Sequence, residues 1–263
     1  MDKCTIVLMT HSSYLDVCEL FIYLLRKNWP DCPYRIVCSI YGEDKKIANV
    51  ECMYIGTNQI ITDCIVEVAK KYESRFYMCF LGDAFISNTV TTAEVDRLIN
   101  DLDRKSANYC NLTVNYFNKR ILKNTIIYNL DYRENYGHSF VSFIATKKFI
   151  MEELHNVTDY EFEMKYQNSR SKNNDIFNDR YRVSSNIMNI FPTVEKGKWD
   201  RFALKKVRKY NPEINIGNRK VTSVIEQGYM LMKIILHEFL PSTITEKIKK
   251  FLSSIGFSFA SKY

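Results

Sequence analysis

The chain has 263 residues, enough to bury one large core or two small ones, with the 46% hydrophobic and 25% charged content of a globular protein. No run approaches the roughly 20 apolar residues of a membrane span. Asp2 and Lys3 lead into an apolar run, Thr5–Met9, that is too short for a secretory leader, so the sequence predicts a cytoplasmic protein. The eight cysteines contain no CxxC pair and the four histidines no metal-ligand spacing, which argues against zinc sites and disulfide frameworks.

Charge is uneven along the chain. From residue 196 onward there are fourteen Lys and Arg against five Asp and Glu, a surplus of nine, while the remainder is close to neutral. One surface is therefore expected to face something anionic. The 18 tyrosines against 2 tryptophans give many rings a polar tip, suited to wet core edges and to walls that stack on sugars or bases.

In chain order, Lys3–Met9 reads as a strand and Tyr14–Asn28 as a helix with apolar residues at Leu15, Cys18, Phe21, Ile22 and Leu25. Trp29-Pro30-Asp31 ends it, because proline lacks a backbone donor and disfavours helix just before it. Tyr34–Ile40 and Val50–Ile55 follow as strands, Gln59–Tyr72 as a helix and Arg75–Leu81 as a fourth strand. Thr91 or Thr92 caps a helix running to Lys105, and Asn108–Asn115 reads as a fifth strand. Parallel strands joined by helices need right-handed crossovers, so the prediction is an open, mostly parallel α/β sheet with helices on both faces. Beyond residue 120 the expected elements are strands at Thr125–Leu130 and Ser139–Ala145, a short helix Lys147–His155 and a polar loop Asn168–Asp179. A strand-like piece Ile187–Val194 and helices Asp200–Tyr210 and Gly228–Phe251 complete the chain.

Absent motifs narrow the class. The eight glycines allow neither GxGxxG nor a P-loop, and no GxSxG or HExxH occurs. Open α/β sheets bind ligands beyond the carboxyl ends of their strands. The residues there are Thr10-His11-Ser12-Ser13-Tyr14, Tyr41-Gly42-Glu43-Asp44 and Gly82-Asp83-Ala84-Phe85, which together make a polar crevice. The plainer alternative is that they are caps and turns, with Ser12 or Ser13 capping the first helix and Asp44 in a solvated turn.

The segment Phe80-Leu81-Gly82-Asp83-Ala84-Phe85-Ile86 resembles the "DD-F-F-L" stretch of bacterial GT-A-type glycosyltransferases that build capsular or lipopolysaccharide chains. Also similar are THSSY at 10–14, NWPDCPYRIV at 28–37, GHSFVSFIATKKFIMEEL at 137–154, DYEFE at 159–163, GKW at 197–199 and the basic C-terminal tail. The resemblance covers roughly the whole chain. It implies one GT-A-like domain with a nucleotide-sugar-binding half (1–118), an acceptor-side half (119–228) and a basic helical tail (229–263). It further implies donor contacts from Thr10, His11, Ser12, Tyr14, Asp44 and Asp83.

Family members hold Mn²⁺ or Mg²⁺ beside the departing diphosphate through acids at this strand end. Here Gly82 stands where another Asp is frequent. Asp83 either holds a divalent metal with water and phosphate, or binds donor hydroxyls without one, or marks a degenerate site. The resemblance also implies a base for the acceptor hydroxyl among Asp159, Glu161 and Glu163. An extended segment would put Glu161 and Glu163 on one side, and a helix would pair Asp159 with Glu163. His138 is either close to the acceptor or structural.

The expected partners are a nucleotide-sugar donor, a glycan or lipid-linked acceptor and an anionic membrane surface, with no nucleic acid. Thr243–Leu252 reads as an amphipathic helix with lysines on its polar face, suited to the inner face of the plasma membrane or to closing the core. Two other functions stay open: a catalytically silent nucleotide-binding or scaffolding protein, and a nucleotidyltransferase, whose glycine-rich basic N-terminal signature is missing.

Overall fold

A computed structural model describes residues 1–114, 125–130, 134, 137–168, 177–210, 216–239, 247, 248, 250, 251 and 254. Four strands, β1 (Asp2–His11), β2 (Arg35–Tyr41), β3 (Glu51–Gly56) and β4 (Ser74–Leu81), run parallel in the order β3-β2-β1-β4. The register sets His11 opposite Tyr41 and Met9 opposite Leu81, so the carboxyl ends of β1, β2 and β4 meet at one edge.

Helices α1 (Leu15–Asn28), α2 (Ile61–Lys71) and α3 (Thr92–Arg104) make the crossovers. Alternation along β1 sends Ile6 and Leu8 to a core shared with Phe21 of α1 and Leu98 of α3. Val7 and Met9 face a second core with Ile65 and Val68 of α2. A strand covered on both faces reads as continuous apolar sequence, as Thr5–Met9 does. Helix α1 stops at Asn28 before Trp29-Pro30, and the buried Trp29 donates from Nε1 to Thr92 Oγ1 at 3.0 Å. The Thr91 side chain accepts from the Glu94 amide and caps α3.

The sheet continues with residues from later in the chain. Elements β5 (Ala84–Ile86), β6 (Tyr109–Asn111), β7 (Ile127–Asn129), β8 (Ser142–Ala145) and β9 (Arg180–Val183) follow, all but β5 in this sheet, with helices α4 (Lys147–Glu153) and α5 (Asp159–Asn168) between β8 and β9. The eight-stranded order is β3-β2-β1-β4-β8-β6-β9-β7, with β8 antiparallel to both neighbours, β9 parallel to β6 and β7 antiparallel to β9. The fold is thus an α/β sheet, mostly parallel and flanked by helices. Strand β10 (Ile190–Pro192) pairs antiparallel with β5, and β11 (Val194–Glu195) with β12 (Lys198–Trp199). Helices α6 (Arg201–Tyr210) and α7 (Val224–Phe239) follow.

Several boundaries shift and one open choice is settled. The fifth strand is Tyr109–Asn111 rather than 108–115, because the Asn111 side chain turns back to accept from the Thr113 amide and hydroxyl. The last helix starts at Val224 rather than Gly228, since Ser223 and Glu226 form a reciprocal cap four residues earlier. The segment Asp159–Glu163, open between extended and helical, lies in helix α5. Residues 169–176 of the expected polar loop and most of Thr243–Leu252 lie outside the described residues. No helix among the described residues is long and apolar enough to cross a membrane.

Candidate active site

The crevice is built at the edge where β1, β2 and β4 end. His11 closes β1 and its Nδ1 accepts from the Ser13 amide at 3.0 Å. The ring meets Tyr41 edge-on at 4.8 Å. Ser12 is buried and its hydroxyl accepts from the Glu43 amide at 2.9 Å, tying the β1 loop to the β2 loop. Gly42 makes that approach possible. Its φ is +97°, and a Cβ there would stand 2.6 Å from Ser12 Oγ. Thr10 is buried and Asp44 is exposed in the turn after β2.

Asp83 follows β4 and is half-buried. Burial pushes its carboxyl up to about 6, and the charge of Glu195 adds to the rise. Its own amide, the Val194 amide and the charge of Arg219 pull the other way. Gly82 has a packing reason. A Cβ there would lie 3.1 Å from Thr10 Cβ and Oγ1 and 3.3 Å from Cys18 Cβ. A side chain at this position, where a second acid would stand, would press on both neighbours by a few tenths of an ångström.

The C-terminal half brings a basic segment to the same edge. Buried Trp199 donates from Nε1 to the Ile216 carbonyl at 2.9 Å and its backbone bonds to Lys220 and Thr222, which fixes residues 216–222. Arg219 then grips both carboxylate oxygens of Asp16 at 2.7 Å and lies 4.3 Å over the Tyr14 ring. A cleft of about 560 Å³ opens here, lined by Ser13, Asp16, Lys198, Asn218, Arg219 and Lys220 among others. Lys198 is ion-paired with Glu226. Sequence reading missed this cleft. Its only sequence signal is the cluster Gly217-Asn218-Arg219-Lys220, far along the chain from Asp16.

The acidic cluster sits at the start of α5. Glu161 caps its own helix, accepting from the Thr158 amide at 2.9 Å and hydroxyl at 2.8 Å, which holds it below the usual carboxylate range. Asp159 is exposed, and its charge reaches both Tyr41 and Glu163. Glu163 accepts from the Phe140 amide at 2.8 Å, and burial raises its carboxyl. Helical spacing thus puts Asp159 and Glu163 together toward the β2 end and turns Glu161 to another task. His138 lies in an aromatic cluster, stacked 3.7 Å from Tyr166, and burial with Arg180 and Arg182 nearby lowers it well below the ordinary range. It is a neutral core histidine.

No family model and no curated protein matches the sequence. Solved structures with a similar arrangement include a CMP:2-keto-3-deoxy-manno-octonic acid synthetase complexed with CTP (12% identity, 81% of this chain, 99% of that chain, TM-score 0.47). S. aureus TarS is another (14% identity, 92% of this chain, 44% of that chain, TM-score 0.49). A third is the galactosyltransferase LgtC in complex with donor and acceptor sugar analogs (11% identity, 83% of this chain, 98% of that chain, TM-score 0.45). At such distances the function has to be read from the site itself.

Proposed function

We propose that the chain is a glycosyltransferase that takes a nucleotide-activated sugar at the ends of β1, β2 and β4 and passes the sugar to a bacterial surface glycan. The observation that carries this reading is a half-buried carboxyl, Asp83, within the field of Arg219 beside a cationic cleft. A departing nucleoside diphosphate gathers negative charge as the glycosidic bond breaks, and fixed cations lower the cost. In this reading Lys198, Arg219 and Lys220 receive its phosphates, Lys198 turning from Glu226 and Arg219 from Asp16. Tyr14 and Tyr41 offer ring surface and hydroxyls to the rest of the donor. Asp159 or Glu163 is the base that takes the acceptor's proton, in a direct displacement that inverts the sugar. Glu161 is the least suited of the three, being held in a cap.

A Mg²⁺- or Mn²⁺-type ion fits at Asp83 in one way only. Such ions bind through one or two carboxylates when substrate phosphates and water complete the shell. Among the described residues no group of three or more His, Cys, Asp or Glu is gathered to hold one. Bound with the donor, the ion would add positive charge beside the diphosphate. The acceptor in this reading is a glycan or lipid-linked saccharide at the inner face of the plasma membrane, reached through the basic C-terminal region.

A second reading has its own observation. Gly82 stands, tightly packed, where a second acid would be, which suits a protein that binds nucleotide without turning over. A thermal-shift screen of nucleoside diphosphates with and without Mn²⁺, followed by assay of donor hydrolysis, separates the two. Stabilisation by a diphosphate with release of free sugar from the matching donor supports the transferase. Stabilisation without any release supports the silent binder.

A further inference from the structure

The first turns of α6 and α7 are locked together at one corner of the molecule. Asp200 accepts from the Ala203 amide and from Gln227 Nε2, both at 2.7 Å, and the Arg201 guanidinium donates to the Thr222 carbonyl at 2.8 and 3.1 Å. The outside of this corner is apolar. Phe202 is 54% exposed, Val224 72%, Ile225 85% and Leu231 41%. On α7, Val224, Gly228 and Leu231 follow helical spacing along one face, with Ile225 beside them. A Cβ at Gly228 would meet nothing within 4 Å, so the face is open at its middle.

The neighbouring surface is cationic. Helix α6 contains no acid, and Arg201, Lys205, Arg208 and Lys209 are all exposed. An exposed apolar face beside a basic helix has the composition of an interfacial element: alkyl and aromatic groups enter the headgroup layer and cations meet its phosphates. A second copy of the chain would bring like charges face to face across the same patch. A nucleic acid would neutralise the cations and leave the apolar residues without a partner.

We propose that this corner is the surface by which the protein rests on an anionic lipid bilayer, with Phe202, Val224 and Ile225 entering the interface. The inference deepens the membrane attachment proposed above by assigning it to α6 and α7, and its test does not depend on sugar transfer. The full chain is sedimented with vesicles of phosphatidylcholine alone or mixed with phosphatidylglycerol, at low and high salt. It should bind the anionic vesicles, release at high salt and ignore the neutral ones. Two double variants, Val224→Ser with Ile225→Ser and Lys205→Glu with Lys209→Glu, should each lower binding at least about tenfold. Melting temperature and donor hydrolysis in solution should stay as in the parent.

Absence of binding by the parent overturns the proposal. Binding that survives both double variants overturns it too, and moves the contact to the residues beyond 239. A dimer lost in the Val224→Ser, Ile225→Ser protein, without vesicle binding by the parent, would show that a second copy covers the face. Vesicle binding without any donor turnover would leave this surface standing and count against the transferase alone.

Discussion

The main-chain carbonyl of Asp83 accepts two hydrogen bonds from Thr193, one from its amide at 3.0 Å and one from its hydroxyl at 2.8 Å. The pair is 110 residues apart in sequence, and it fastens the turn after β4 to the C-terminal half. Thr193 is fully buried, so the hydroxyl bond is shielded from water. Thr193→Val keeps the shape and the amide bond and removes the hydroxyl, at a cost of about 1 kcal/mol in stability. If the turn positions Asp83 for the donor, the turnover number should also fall about tenfold, and Thr193→Ser should restore it. A loss of stability with unchanged turnover would reduce Thr193 to a packing residue.

Asp83→Asn tests the centre of the site. Turnover should drop at least about a hundredfold with folding retained, the scale of losing one transition-state charge contact. The same variant carries a pH signature. Because burial raises the folded carboxyl to about 6 from an ordinary value near 4, its proton stabilises the native state in acid. That stability is lost as pH rises from about 4 through about 6, by on the order of 2–3 kcal/mol. Asp83→Asn removes the loss, so it should melt higher than the parent at pH 7.5 and no higher at pH 4. Parent turnover should decline as pH falls below about 6, where the carboxylate takes up its proton. Parallel melting curves at both pH values would refute the buried-carboxyl assignment.

Gly82→Asp asks whether the missing acid can be put back. The added Cβ would press on Thr10 and Cys18 at 3.1–3.3 Å, so the substitution should destabilise by about 1–3 kcal/mol and should not strengthen Mn²⁺ binding. A stable Gly82→Asp protein with tighter Mn²⁺ binding, measured by calorimetry, would show that the floor of the crevice yields.

The parallel half was legible in the sequence because its signals are local and long. Continuous apolar strands, the Trp29-Pro30 stop and the threonine cap at 91 or 92 each declare themselves within a few residues. The three strand ends were legible as a polar edge for the same reason. Strands such as β5 and β9 were not, since three or four residues hold too little periodicity and their pairing partners lie far away in the chain. Nor was the fate of Ser12 and Glu161. A hydroxyl or carboxylate in a candidate site looks free in sequence, whereas in the structure Ser12 is bonded by Glu43 and Glu161 by Thr158. The cationic cleft depended on Trp199 bonding to Ile216 and on Arg219 reaching Asp16 of α1, contacts that no local pattern announces.

The acidic residues of α5 separate by task. Glu161→Gln should weaken the cap of α5, seen as a lower melting temperature, and leave transfer intact. Asp159→Asn and Glu163→Gln should keep donor affinity while one of them loses transfer to acceptor by at least about a hundredfold. Assays with saturating donor decide between them. Near-parental transfer by both would place the base elsewhere.

Arg219 has two readings that the same measurement separates. It grips Asp16 and stacks on Tyr14, so it is either a strap holding residues 216–222 to α1 or a cation held ready for phosphate. As a strap, Arg219→Ala and Asp16→Asn would lose the same contact and weaken nucleoside diphosphate binding alike. As a phosphate ligand, Arg219 would be pulled from Asp16 when the donor enters, because a planar guanidinium engages either anion in the same forked way. Arg219→Ala should then weaken diphosphate binding about tenfold at low salt, with the difference shrinking as salt screens the charge. Asp16→Asn should leave binding equal or tighter, since the cation no longer has to give up an internal partner. The second pattern is the expected one, because Arg219 lies in a cleft with Lys198 and Lys220 and its charge reaches Asp83.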